Sequence, residues 1–328
     1  MERINKKDGI KEEGRRVSEE RMMKWKGIRT IFLLFFLLSS LPPFLPFSFA
    51  QDTTSRAAEP CYRCRLRNLL IAETVVYGST IYGLSRAWYD NPLTNFHFFN
   101  DNREWLQIDK VGHMVTAYQI ARVSAQAYRW AGLSDRKAAI YAGITGLVFQ
   151  TPIEILDGFS PEYGFSVGDM IANMAGPALY TGQYLAWGEL RIQPKFSFHN
   201  TALAKVRPNL LGSSWNERWL KDYNGQTYWL SINPSTFARR DSKLPKWLNI
   251  AVGYGIQDMV AAETSKSIEL GYRPYRQYYL SLDIDFTRIP TRKKGLKTLF
   301  FLLNTLKMPA PTLEYNGRNG FQFHALYF

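Results

Sequence analysis

The spacing of apolar residues changes once along the chain, near residue 191, and this change separates a helical part from a β-rich part. Between about 65 and 190, apolar residues recur every three to four positions in four stretches, as on one face of an α-helix. From 191 to 328 the period falls to two, as in YYLSLDIDF at 278–286. The pattern predicts an α+β fold, in which an N-terminal antiparallel bundle of about four helices precedes a C-terminal antiparallel β-rich region.

Capping residues and small residues support the four predicted helices. Ser134 or Asp135 suits the N-cap of the third helix, and Ser166 suits that of the fourth. Asp169 stands three residues after Ser166, in the position of a capping box, and Pro152 predicts a kink near the end of the third helix. Small residues that would let the helices approach closely include Gly143, Gly146 and Gly176.

The β-rich part ends in a pattern that outer-membrane β-proteins share. The segments KFSFH, TYWLSINPS and WLNIAVGYG are strand candidates, and the terminal TLEYNGRNGFQFHALYF predicts a hairpin around its Asn-Gly pairs. A short amphipathic helix, GLKTLFFLLNTLKM, interrupts the last strands. The alternating strand that ends at Phe328 favours a membrane-associated partial or small β-barrel, with a soluble antiparallel sheet as the alternative.

Residues 24–50 have the layout of a secretory signal peptide, with a basic start, an apolar run and a small-x-small ending before Gln51. The charged residues 1–21 are expected to be an over-extended start. We therefore treat 1–50 as signal peptide and 51–64 as a linker, and predict an exported protein in the outer membrane or periplasm of a Gram-negative bacterium. Because no cysteine directly follows the predicted cleavage site, the signal is not of the lipoprotein type.

The charge and the aromatic content point to a membrane surface. The chain has a net charge of +13, and removing residues 1–50, with ten basic and six acidic residues, leaves about +9. A basic, aromatic-rich exported chain suits a membrane, with an envelope protein, lipid or glycan as further candidate partners, and argues against nucleic acid. A soluble periplasmic protein with a basic face is the alternative. The segment GYRPYRQYY fits a membrane-interface girdle better than a site for an anionic glycan.

The two cysteines, Cys61 and Cys64, form one CYRC motif just ahead of the first helix. One such pair supplies only half of a zinc site, and no thioredoxin-like βαβ pattern surrounds it. Outside the cytoplasm a local disulfide is the simpler interpretation, so a structural pair is favoured over a redox-active one.

Polar residues interrupt the apolar helices at three places. If neighbouring helices run antiparallel, the start of the second, the end of the third and the start of the fourth lie at one end of the bundle. Residues three or four apart on a helix share a face. The resulting cluster comprises Asp109 and His113 on the second helix, Glu154 and Asp157 on the third, and Asp169 and Asn173 on the fourth.

The segments that carry this cluster, DKVGH, PIEILDGFS and FSVGDMIANMAGPALYTG, resemble the YfiM-like periplasmic lipoprotein family in its longer, Bacteroidetes-type exported form. The order of their polar residues is also similar to that of VanZ-like membrane proteins. The resemblance covers roughly 85–190 and implies a helical fold at the envelope, but little about function. The chain departs from the pattern in lacking a lipobox cysteine and in adding a β-rich half. The positions singled out are Asp109, Lys110, His113, Glu154, Asp157, Asp169, Asn173 and Gly176.

The cluster has two interpretations. One imidazole with several carboxylates suits Mn, Fe or Zn, so His113, Glu154, Asp157 and Asp169 are candidate ligands of a divalent metal, and all six residues are candidate catalytic groups. Buried polar groups also pair to satisfy one another, and a single histidine falls short of the di-iron bundle pattern. A hydrogen-bonded network is therefore favoured over a metal or acid/base site.

No other catalytic motif stands out, and His97, His199 and His324 fit structural positions in loops or strands. The first hypothesis is a non-enzymatic protein of the outer membrane with a structural or binding role. The contrasting hypothesis is a metal-dependent or acid/base enzyme acting on a lipid or a cell-wall precursor.

Overall fold

The computed structural model describes residues 61–88, 92–161, 163–238 and 243–328. The predicted signal peptide, its cleavage site and the start of the linker lie outside these residues. Within them, long helices form the first part of the chain and a six-stranded antiparallel sheet forms the second. This arrangement confirms the α+β fold class that the periodicity predicts.

The first part is a bundle in which one helix lies between two others. Its core consists of alanine and aromatic side chains, among them Tyr118, Ala121, Ala125, Ala139 and Tyr180. The second helix packs closely against the third and the fourth, whereas the first makes fewer contacts. The four helices, close to their predicted bounds, are α1 (Tyr62–Trp88), α2 (Ile108–Ala131), α3 (Asp135–Gly158) and α4 (Val167–Trp187).

Glycines allow these helices to approach backbone to backbone, as the sequence predicts. A Cβ atom at Gly176 would lie 2.1 Å from the carbonyl oxygen of Met114, so α2 and α4 touch at this point. A Cβ atom at Gly146 would lie 2.8 Å from the carbonyl oxygen of Ala117, between α3 and α2. These close approaches bring the polar side chains of α2, α3 and α4 within bonding distance of one another.

The second part is a meander in which each strand pairs antiparallel with the next. Every strand candidate from the alternation is a strand, and the last two form the predicted hairpin. Within the described residues the first and last strands do not pair with each other, so the sheet is open. The strands are β1 (Ile192–Phe198), β2 (Gln226–Ile232), β3 (Leu248–Gln257), β4 (Tyr275–Ile284), β5 (Ala310–Asn316) and β6 (Gly320–Tyr327).

Short helices lie in the connections between strands. Four of them, of four to seven residues, were not predicted, because so few residues cannot display a helical period. The fifth is the predicted amphipathic helix between β4 and β5. In chain order they are α5 (Leu203–Val206), α6 (Pro208–Leu211), α7 (Trp215–Lys221), α8 (Thr264–Glu269) and α9 (Lys294–Leu303).

The sheet buries a face that is largely polar, with a small cluster around Trp229, and exposes an apolar face, the reverse of a sheet in a water-soluble protein. On β4, Ser281 and Asp283 are 4% and 1% exposed, whereas the alternating Leu280 and Leu282 are 51% and 49% exposed. On the buried face, Lys195 and Asp283 form a 2.7 Å ion pair in which both side chains are fully buried. A polar interior with an apolar exterior is the arrangement of β-proteins in membranes.

Helix α2 connects the bundle to the sheet. Just before α2, the carbonyl oxygen of Leu106 accepts a short hydrogen bond from the hydroxyl of Tyr254 on β3. Midway along α2, the buried Arg122 donates to the carbonyl oxygen of Phe301 (3.0 Å) and to Oγ1 of Thr305 (2.6 Å). The start of α2 therefore lies at the end of the sheet where β3 stops, and its middle lies beside α9.

Among the described helices, α3 alone is long and apolar enough to cross a membrane, with a mean hydropathy of 1.3 over its best window. A third of that window is buried in the bundle. Core helices of soluble proteins meet the same two criteria, so the case for a membrane surface rests on the sheet.

Candidate functional site

His113, on the second turn of α2, is the centre of the polar cluster. Its Nδ1 lies 3.1 Å from Oδ1 of Asn173 and 3.5 Å from Oε1 of Glu154. Nδ2 of Asn173 donates to the same oxygen of Glu154 at 3.4 Å. On the other side of the ring, Nε2 lies 3.9 Å from Oδ2 of Asp109. Because an amide oxygen only accepts, Nδ1 carries the proton between His113 and Asn173, and Nε2 faces Asp109.

The three helices thus bring five of the six predicted polar residues close together, namely Asp109, His113, Glu154, Asn173 and Asp169. Asn173 is fully buried and Glu154 is 2% exposed, so their polar atoms depend on one another for hydrogen bonds. Asp157 follows Glu154 by one turn of α3, and its negative charge acts on Glu154. The fifth residue, Asp169, lies on α4 in a second group of bonds.

That second group centres on Lys110. Its Nζ lies 2.8 Å from one carboxylate oxygen of Asp101 and 2.8 Å from one of Asp169. Ser166 caps α4 as predicted, because its Oγ accepts the N–H of Asp169 at 3.1 Å, and it donates to Asp101 at 2.6 Å. Asp169 thus occupies the capping-box position as predicted, through its backbone N–H. Its carboxylate binds the Lys110 ammonium in a charge-assisted hydrogen bond.

A strained turn leads directly into α2. Trp105, Leu106 and Gln107 have φ angles of 45°, 49° and 67°, in the left-handed region that non-glycine residues seldom occupy. Gln107 is held by a 2.6 Å bond to the carbonyl oxygen of Asn102 and by a 2.6 Å bond from Arg276. Such strain persists only where surrounding contacts fix the backbone. The turn fixes the direction in which the first turn of α2 presents its polar side chains.

Tyrosines from the far side of α2 complete the site. The buried hydroxyl of Tyr223 donates to Oδ1 of Asp109 at 2.5 Å. The hydroxyl of Tyr228 lies against Gly112, where a Cβ atom would be 2.8 Å from it. Asp109 therefore bridges Tyr223 on one side and His113 on the other.

Burial and charge shift the protonation of the cluster. Burial raises the pKa of Glu154 to about 8 and that of Asp169 to about 6, in both cases against the attraction of His113. Burial opposes protonation of His113, but the charges of Asp109 and Asp169, and that of Glu154 when it is ionised, outweigh it and raise the pKa of His113. These shifts favour a neutral Glu154 at pH 7 and the cationic form of His113.

Three side chains could hold a cation. Asp109, His113 and Asp169 each offer one ligand atom, and these atoms all lie within 4.8 Å of one another. The bond from Nδ1 to Asn173 resembles the outer-shell bonds that orient metal-binding histidines. Glu154, a predicted metal ligand, lies instead beside Nδ1 of His113, the nitrogen that bonds to Asn173. Asp109 is therefore the second carboxylate of the triad in place of Glu154. Because Lys110 already compensates the charge of Asp169, the cluster is also stable in principle as a network without metal.

Sequence reasoning missed Asp101 and Tyr223. Both lie on irregular segments, where no helical or strand period indicates which way a side chain points. Lys110 is found only through the family resemblance, because an isolated lysine in the first turn of a helix has no distinguishing spacing.

Cys61 and Cys64 are free, exposed thiols in the structure, and the disulfide between them stays a prediction. α1 begins at Tyr62, so the pair spans its N-terminus, and the N–H of Cys64 donates to Sγ of Cys61 at 3.3 Å. The hydrogen bond from the Cys64 thiol lowers the pKa of Cys61. The sulfur of Cys61 thus serves as a helix-capping acceptor.

Comparison with known proteins finds a similarity to an envelope family over the segment that carries the site. Residues 97–184 match the model of a family described as predicted periplasmic lipoprotein (DUF2279). The matched stretch spans α2 to α4 and holds every residue of the polar cluster except Tyr223. No curated protein and no solved structure matches the chain. The match supports an envelope protein of unknown role, similar to periplasmic lipoproteins, and confirms the predicted exported location.

Proposed function

We propose that this chain is a membrane-seated protein of the outer membrane with a binding or structural role, whose sheet contacts lipid while its bundle carries the His113 cluster. The observation that carries this proposal is the exposed apolar face of the sheet. The order of the cluster motifs further supports a relation to YfiM-like and VanZ-like proteins.

The apolar face is continuous across the strands. One row of mutually paired, exposed side chains crosses five strands, and it comprises Leu230, Val252, Leu280, Leu313 and Phe323. Two residues along lies a row of aromatic side chains, of which Tyr278, Tyr315 and Phe321 are exposed, whereas Tyr228 and Tyr254 are half-buried and pack toward the start of α2. Aliphatic rows bordered by aromatic rows are typical of the lipid-facing surface of membrane β-proteins.

The dimensions of this face suit a bilayer. β3 and β4 have 10 residues each, within the roughly 9–11 residues that a tilted strand needs to cross the hydrocarbon region. From Tyr278 to Ile284 the apolar band extends about 20 Å along β4 at about 3.4 Å per residue. Soluble monomers rarely expose a contiguous apolar patch of this extent.

The test is fractionation of cells that express the full chain, followed by carbonate and urea washes. We expect the mature protein to stay in the membrane pellet. Leu280→Asp should release it, because a charge on the lipid-facing side of a strand is destabilising near the bilayer centre, by less for Asp than the about 2–4 kcal/mol for Arg or Lys. Leu270→Asp is the matched control, because Leu270 is also 51% exposed but follows α8, away from the apolar rows.

Release of the wild-type protein by the washes would overturn the proposal. Retention of both variants would do the same, since neither leucine would then contact lipid. A washed-out protein that sediments as a dimer, and becomes monomeric with Leu280→Asp, would show that a second copy covers the face.

A metal or acid/base centre at His113, acting on a lipid or cell-wall precursor, is the second candidate. The observation that favours it is the orientation of the imidazole, with Nδ1 held by Asn173 and Nε2 facing Asp109. Elemental analysis of the purified protein tests it. Stoichiometric Mn, Fe or Zn that is lost in His113→Ala and retained in His97→Ala would support the centre. A metal-free, stable protein would leave the hydrogen-bonded network as the account of the cluster.

A further inference from the structure

Helix α9 is amphipathic, basic and poorly buried. Of its ten residues none is buried, although six are Leu or Phe. Lys294 and Lys297 are three residues apart and share one side, whereas Leu296, Phe300 and Leu303 form a stripe at helical spacing on another. The contact of Arg122 with Phe301 fixes α9 against α2, with the guanidinium carbon 4.0 Å from the centre of the Phe301 ring. An anchored helix of this composition suits the plane of a membrane interface.

Cations crowd the end of the sheet at which α9 lies. The described segments at this end are 187–191, 233–238, 243–247 and 285–309, and they contain nine Lys and Arg but only two Asp and Glu. The segments at the opposite end contain seven Lys and Arg and five Asp and Glu; they are 199–225, 258–274 and 317–319. Within the part of the chain that the structure describes, six exposed cations at the α9 end take part in no ion pair: Lys243, Lys246, Arg292, Lys293, Lys294 and Lys297.

Aromatic side chains accompany these cations. Trp187, Phe237 and Trp247 are 41%, 53% and 42% exposed at the α9 end. Arg191 stacks on Trp187 at 4.8 Å and on Phe237 at 5.3 Å. Exposed tryptophan beside arginine and lysine is the composition of the headgroup level of a membrane.

We infer that the α9 end of the sheet binds the phosphates of anionic lipids, so that the cations around α9 orient the apolar face in its bilayer. This inference rests on the proposal that the apolar face of the sheet contacts lipid, and it names the class of lipid. The excess of unpaired cations supplies the charge complementarity, and the apolar rows beside them exclude a free phosphate in water as the intended ligand. The row of tyrosines and the His113 cluster then lie at the opposite end of the sheet.

Flotation of the full chain, diluted from detergent onto vesicles, tests the inference. Vesicles of phosphatidylcholine, with or without phosphatidylglycerol, serve as probes at low and high salt. We expect tighter binding to the anionic vesicles at low salt, and about a fivefold loss for each lysine neutralised near the surface. The triple variant Lys293→Gln, Lys294→Gln, Lys297→Gln should therefore lose on the order of 100-fold for anionic vesicles. Binding of this variant to phosphatidylcholine should stay unchanged.

Arg273→Gln is the control for Lys297→Gln, because Arg273 is an exposed cation at the opposite end of the sheet. Equal losses of binding for these two variants would overturn the inference, since it would then not matter at which end of the sheet the cation lies. Binding that depends on neither phosphatidylglycerol nor salt would also overturn the inference, but it would leave intact the proposal that the sheet contacts lipid. Failure of the wild-type chain to bind either kind of vesicle would instead refute the membrane seat itself.

Discussion

Replacing Glu154 with Gln should remove a pH dependence of stability that the buried cluster imposes. Glu154 is 2% exposed, and Nδ2 of Asn173 donates to its Oε1. A glutamine has almost the same shape, and its carbonyl oxygen can accept the same bond. The substitution therefore leaves the packing of α3 against α4 in place and removes only the ability to ionise.

The size of the effect follows from the pKa of Glu154, which burial raises from 4.5 to about 8. The folded chain binds this proton more tightly than the unfolded chain, so stability falls as the pH rises between these two values. Each pKa unit corresponds to about 1.4 kcal/mol, so wild type should lose roughly 3 kcal/mol between pH 5 and pH 8 that Glu154→Gln retains. The raised pKa of His113 acts in the same direction in both proteins.

Thermal melts of both proteins in detergent, at pH 5 and at pH 8, measure this difference. At pH 5 the two proteins should have the same melting temperature. At pH 8 the melting temperature of the variant should be roughly 6–12 °C higher, because each kcal/mol shifts it by about 2–4 °C in a chain of this size. Glu269→Gln, the same change at an exposed position, should show no such divergence. Parallel melting of wild type and Glu154→Gln across the pH range would refute the reasoning.

Four further variants test the packing, the helix cap and the cysteine pair. Gly176→Ala should lower the melting temperature, because its Cβ atom would be forced against the backbone of α2 at a cost of roughly 1–3 kcal/mol or more. Gly182→Ala should instead raise the stability by up to about 1 kcal/mol, because its Cβ atom would have no neighbouring atom within 4 Å. Ser166→Ala should cost about 0.5–2 kcal/mol in the same melts, and an unchanged melting curve would contradict its capping role. A double variant with serine at Cys61 and Cys64 should reach wild-type amounts in the membrane fraction by immunoblot, since both thiols are exposed.

The order of the elements could be predicted because each long element carries its own period. α9 and the six strands were all recognisable from local alternation or helical spacing, and the hairpin from its Asn-Gly pairs. Alternation could not by itself reveal which face of the sheet is covered. On β4, Leu280 and Ser281 alternate in the same way whether the apolar side faces a core or a lipid.

The cluster was predictable in part, because i,i+3 and i,i+4 spacings place side chains on one face of a helix. The ion pair of Asp169 with Lys110 could not be found in this way, because it depends on how α2 and α4 pack together. The contributions of Asp101 and Tyr223 depend on tertiary contacts between an irregular segment and α2. Such contacts have no signature in the spacing of residues along the chain.

The most direct test of the membrane seat is the depth of the apolar face in a bilayer. A single cysteine at Leu280 or at Leu270, in a chain with serine at Cys61 and Cys64, would carry a fluorescent label into vesicles that contain acyl-brominated lipids. The label at Leu280 should be strongly quenched and the label at Leu270 should not, because only the former faces the hydrocarbon. Equal and weak quenching at both positions would contradict the account.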